Sequence, residues 1–160
     1  MTTTTSSEQS VIHSTFTIRR TYPARPERVF AAFADPAKKR RWFGEAEGRD
    51  VEAFETDFRV GGNERYSYRM KEGTPFPGAI IINRTSYQDI VPGRRIVMAY
   101  TMAFGERPFS ASLATIELVP AGSGTELHFT EQGAYFESSD GPQRREHGWT
   151  VLLEKLAAAL

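Results

Sequence analysis

The sequence predicts an α+β domain in which one long C-terminal helix lies across a curved antiparallel sheet. Three observations predict it. Helical spacing is confined to two stretches, one near each end. Between them, residues 50–133 read as short period-two runs separated by turn signals. The last 19 residues place Trp149, Leu152, Leu153, Leu156 and Leu160 at helical spacing with no proline after Pro142. Helices grouped at the ends, and not alternating with strands, indicate an α+β layout and not a doubly wound one.

The elements follow in order. Residues 1–12 are Thr/Ser-rich and read as a disordered tail with neither a basic leader nor an apolar region, so no signal peptide is expected. Residues 13–160 read as a single domain. Residues 12–22 alternate, with Phe16 and Ile18 on one face. Pro26 suits the first position of a helix carrying Val29, Phe30 and Phe33. Asp35-Pro36 ends that helix and caps a second, short one that stops near Trp42-Phe43-Gly44. Strands are expected at 51–60, 63–71, 79–91, 94–104, 109–119 and 125–132. Their short connections imply hairpins and a sheet of about six or seven strands. The helix from 142 to 160 is about 28 Å long, enough to cross such a sheet.

Composition limits the function classes. The chain has 160 residues, with 20 Lys+Arg against 20 Asp+Glu and no cysteine. Zero net charge argues against nucleic acid as a partner. The run Lys38-Lys39-Arg40-Arg41 reads as a solvated helix face. The absence of cysteine removes disulfides, thiolate metal sites and a Cys nucleophile, and fits a cytoplasmic location. No stretch is long and apolar enough for a membrane span. The three histidines lack metal-ligand spacing, and no nucleophile elbow or phosphate loop occurs, so no metal, cofactor or catalytic residue is assigned.

One face of the strands is unusual for a filled core. Residues i and i+2 share a face. That face carries Tyr66, Tyr68 and Met70; then Ile96, Met98, Tyr100 and Met102; then Ser110, Ser112 and Ala114; then Leu127, Phe129 and Glu131. Tyrosine hydroxyls need partners, small residues leave space and methionines adapt to irregular shapes. A concave apolar wall with a few polar points suits a ligand. Trp42, Arg145, Trp149 and Leu152 complete the candidate lining. Trp149 fits equally as a core anchor. Glu131 fits three roles: a general acid or base whose pKa burial would raise, a structural pair with Arg145, or an anchor for a ligand hydroxyl or amine.

The run 20–36, with Trp42-Phe43, resembles the opening of START/Bet v 1-like (SRPBCC) proteins, in the branch homologous to the activator of heat-shock-protein-90 ATPase. Val60-Gly61-Gly62 before Tyr66-Ser67-Tyr68, the stretch 89–97, Gly124-Thr125-Glu126-Leu127 and Gly148-Trp149 resemble later motifs of that branch, in the same order. The resemblance implies a helix-grip fold with a cavity between sheet and helix. It implies binding of a small hydrophobic or aromatic molecule, as carrier, sequestering protein or sensor. Cyclase or hydrolase activity in the same cavity is an alternative, and a chaperone-associated interaction domain is another. The co-chaperone carries an N-terminal domain that is not expected within this length, so a chaperone role does not carry over with the resemblance. A homodimer through an edge strand is compatible with such a sheet.

Overall fold

A computed structural model describes residues 10–160 of the chain. The expected tail falls largely outside the described residues, and β1 occupies Ile12–Tyr22, the stretch whose alternation the sequence shows, taking in the last residue of the expected tail. The element order is β1 (Ile12–Tyr22), α1 (Pro26–Ala34), α2 (Pro36–Lys39) running into a π turn (Arg40–Gly44), β2 (Arg49–Thr56), β3 (Asn63–Met70), β4 (Ile80–Val91), β5 (Arg95–Phe104), β6 (Arg107–Ala121), β7 (Gly124–Tyr135) and α3 (Pro142–Ala158). The strands form one seven-stranded sheet in the order β1-β7-β6-β5-β4-β3-β2. Every neighbouring pair is antiparallel.

The α+β helix-grip expectation is met. Register shifts at Val51/Ala53, Tyr87/Asp89 and Met102/Ala103 add the local bends that let the sheet curl. Three strands differ from the reading of the sequence by two or more residues at an end; β6 extends past the expected 109–119 on both sides. β2 starts at Arg49 and ends at Thr56, and residues 57–62 turn back towards β3. β7 runs on to Tyr135. Gly133 makes this tolerable, because a Cβ there would lie 2.7 Å from the Tyr135 ring.

The helical opening folds as its capping residues direct. Asp35 accepts hydrogen bonds from the Ala37 and Lys38 backbone N–H groups at 2.9 and 3.4 Å, fixing the start of α2. The π turn widens the backbone and faces Trp42 and Phe43 inward. Trp42 packs edge-on against Phe33 with centroids 5.0 Å apart, and its Nε1 donates to the Ala32 carbonyl at 2.8 Å.

The basic run is not a solvated face throughout. Lys39 is 3% exposed, and its Nζ lies 2.9 Å from both oxygens of buried Glu64. Tyr87 donates to the same carboxylate at 2.9 Å. Burial opposes the charge on Lys39, and Glu64 with Tyr87 outweighs it, so its proton is held above the ordinary lysine value.

The α3 helix crosses the concave face and is held at both ends. Near its C-terminal end Leu153 and Leu156 are fully buried, Tyr22 donates to the Leu153 carbonyl at 2.8 Å, and Lys155 donates to the Glu45 carbonyl at 2.8 Å. Near its N-terminal end Arg145 is clamped by Asp140. No helix among the described residues is long and apolar enough to cross a membrane.

Candidate functional site

Between the N-terminal half of α3 and strands β3 to β5 the sheet and helix do not meet. They leave a cavity of about 300 Å³. The sheet contributes Tyr68 and Met70 from β3, Ile81 and Asn83 from β4, and Tyr100, Met102 and Phe104 from β5. Arg145, Gly148, Trp149 and Leu152 come from one side of α3, as spacings of three and four dictate. Phe43 and Arg49 close one end, and Phe76 and Ser138 to Asp140 border the opening.

Of the residues the sequence singled out, seven border this cavity: Tyr68, Met70, Tyr100, Met102, Arg145, Trp149 and Leu152. Trp149 holds both roles proposed for it. Its ring lies 4.3 Å from Phe129 and 5.8 Å from Phe43, its Nε1 donates to the Tyr100 hydroxyl at 3.1 Å, and its remaining surface faces the cavity.

The other six do not line the cavity. Trp42 is buried against α1. Tyr66 is fully buried, and its hydroxyl donates to the Gly44 carbonyl at 2.5 Å. Met98 and Phe129 are core residues where helix and sheet are in contact. Ser112 and Glu131 belong to a polar cluster behind the Tyr100 ring. Packing or a polar partner covers each of them; Trp42 lies in the π turn and the other five on strands.

That cluster is dense. Glu131 is completely buried and accepts from Tyr100 at 2.5 Å, Ser112 at 3.0 Å and Tyr135 at 2.7 Å. Arg145 Nη1 lies 3.5 Å from Glu131 Oε2 and donates to the Tyr100 hydroxyl at 3.0 Å. Its Nε and Nη2 hold Asp140 at 2.8 Å each, and Nη2 also reaches Ser110 at 2.8 Å. Burial opposes the charge on Arg145, and the oxygens of Tyr100, Asp140 and Glu131 outweigh it, so its proton is held above the ordinary guanidinium value. Burial and the neighbouring Glu131 push the Tyr100 and Tyr135 hydroxyls above the usual phenol range. Of the three roles weighed for Glu131, the pair with Arg145 is the one whose contact is present. A general acid or base must reach its substrate, and this carboxylate does not face the cavity.

Residues 23–160 match the family described as activator of Hsp90 ATPase homolog 1-like protein. The chain belongs to that family. Within the family's SRPBCC fold, the sheet-and-helix frame around the cavity recurs in solved structures. The crystal structure of the Mll3558 protein from Rhizobium loti is 51% identical, with a TM-score of 0.84 over 95% of this chain and 100% of that one. A protein from Rhizobium leguminosarum is 33% identical, with a TM-score of 0.86 over 94% of this chain and 95% of its own. The CV1439 protein from Chromobacterium violaceum is 29% identical, with a TM-score of 0.76 over 90% of this chain and 94% of that one. No curated protein matches.

Several lining residues lie outside what the sequence reading singled out. Asn83 follows the apolar run Ile80-Ile81-Ile82 and shares a strand face with Ile81, which period two could have shown. Gly148 sits inside α3, where a glycine costs about 1 kcal/mol relative to alanine. A Cβ there would meet nothing within 4 Å. Arg49 starts β2, and its direction depends on that strand's true boundary.

Proposed function

We propose that this domain binds a small apolar or aromatic molecule in the cavity between α3 and strands β3 to β5, serving as a carrier, a sequestering protein or a sensor. The observation that carries the reading is the cavity itself, with Gly148 on its helical wall. Its volume is at the lower end of the range usual for small-molecule sites, and its wall is mostly aromatic, methionine and leucine side chains with a few polar points. A Cβ at Gly148 would meet nothing within 4 Å, so α3 leaves open space beside the cavity at a residue that is unfavourable in a helix interior.

The charged groups nearby favour binding over turnover. Asp140, the carboxylate on the cavity wall, is held by two nitrogens of Arg145. Glu131 is enclosed by three hydroxyls and Arg145.

A thermal-shift screen of apolar and aromatic compounds, followed by native mass spectrometry, tests the reading. A ligand at about 100 times its Kd should raise the melting temperature by about 5 to 10 °C. Gly148→Leu should fill the space, raise the melting temperature of the ligand-free protein and abolish the ligand's shift. A Gly148→Leu variant that binds as tightly as the wild type would remove the cavity as the site.

A further inference from the structure

The polar lining of the cavity is unbalanced in charge. Three guanidiniums, Arg49, Arg144 and Arg145, face it against the single carboxylate of Asp140. Arg145 and Asp140 satisfy each other. Arg49 takes part in none of the ion pairs among the described residues. It is half-buried, with Cζ 4.5 Å from the Tyr68 ring centroid. Its Nη1 reaches the Tyr66 hydroxyl at 3.4 Å. Stacking on an aromatic face holds a guanidinium in place and leaves its in-plane donors available. A guanidinium has five of them in a fixed fork that matches a carboxylate.

A second observation lies on the same wall. Asn83 is 8% exposed, and its Oδ1 is the one buried side-chain polar atom among the described residues that has no hydrogen-bond partner. A buried acceptor left without a partner is costly and rare. The residue lines the cavity among Met70, Met102, Phe104, Phe109 and Leu152.

We propose that the ligand is an amphipathic acid: an apolar or aromatic body bearing a carboxylate, with the carboxylate seated on the Arg49 fork. The inference rests on the cavity reading above and adds the head group. A neutral ligand would cover Arg49 without pairing it, and a cation would be repelled by it. The carboxylate replaces the lost water with charge-assisted hydrogen bonds.

Three probes sharing one body test it: 2-naphthoate, 2-naphthamide and 2-naphthylmethylammonium, titrated into the full chain by calorimetry at neutral pH and constant ionic strength. The expected result is 2-naphthoate binding at least about tenfold more tightly than 2-naphthamide, with the cation weakest. Arg49→Gln should abolish the preference, bringing 2-naphthoate and 2-naphthamide to within about twofold of each other. The wild-type comparison stands even if that variant folds poorly. Equal affinity for acid and amide, or an acid preference that survives in Arg49→Gln, overturns the head-group assignment and leaves the cavity reading standing. Silence from all three probes, together with silence in the wider screen, overturns both.

Discussion

The Tyr100 hydroxyl donates to Glu131 Oε1 at 2.5 Å, so a residue of the cavity wall is fixed by a carboxylate that the cavity does not touch. The same hydroxyl accepts from Arg145 and Trp149 of α3, which ties the helix to the sheet at the cavity's inner end. Glu131→Gln removes the charge while Arg145 stays buried. The expected cost is about 3 kcal/mol, read as a lower urea midpoint with an unchanged slope. A loss below about 1 kcal/mol would show that the cluster does not depend on the ion pair.

The buried Lys39–Glu64 pair makes a second, independent prediction. Lys39→Met leaves the Glu64 carboxylate buried with Tyr87 alone and should cost about 3 to 5 kcal/mol. Adding Glu64→Leu should recover much of that loss, because no charge then stays stranded. Denaturant melts of the two single variants and the double variant give the coupling. Strict additivity would contradict the pairing.

Asn83→Leu should stabilise the ligand-free protein by about 1 kcal/mol, since it removes an unpartnered buried acceptor at nearly constant volume. For a domain of this size that is roughly 2 to 4 °C in melting temperature. A drop in stability would show that Oδ1 is satisfied in solution.

All six tyrosines have hydroxyl pKa values raised by burial above the ordinary phenol value. A group whose folded pKa exceeds its unfolded one gives its full stabilisation below the unfolded value and loses it as pH rises towards the folded one. Stability should therefore fall above about pH 10. Tyrosinate absorbance should appear in one cooperative step that coincides with loss of near-ultraviolet dichroism. A gradual rise centred near pH 10 in the folded protein would contradict the burial.

Strand faces were legible because alternation is local. Tyr68, Met70, Tyr100 and Met102 follow from period two, and Trp149 and Leu152 from helical spacing. Which part of the inner face stays uncovered was not legible. The seating of α3 through Tyr22, Leu153 and Leu156 decides it, and that leaves Phe129 against Trp149 and Met98 within the packed core. Lys39 was misjudged because its partner is 25 residues away, and a charge run does not reveal which member turns inward. Arg49 was missed because β2 begins two residues before the boundary that the pattern suggested.

Methionine-methyl NMR of the full chain tests the cavity most directly, because the side chains divide cleanly between Met70 and Met102 on its wall and Met98 in the packed core. Titration with a ligand found in the screen should shift the Met70 and Met102 methyl resonances in proportion to occupancy and leave Met98 close to its starting position. A ligand that binds by calorimetry yet moves neither Met70 nor Met102 would contradict the account.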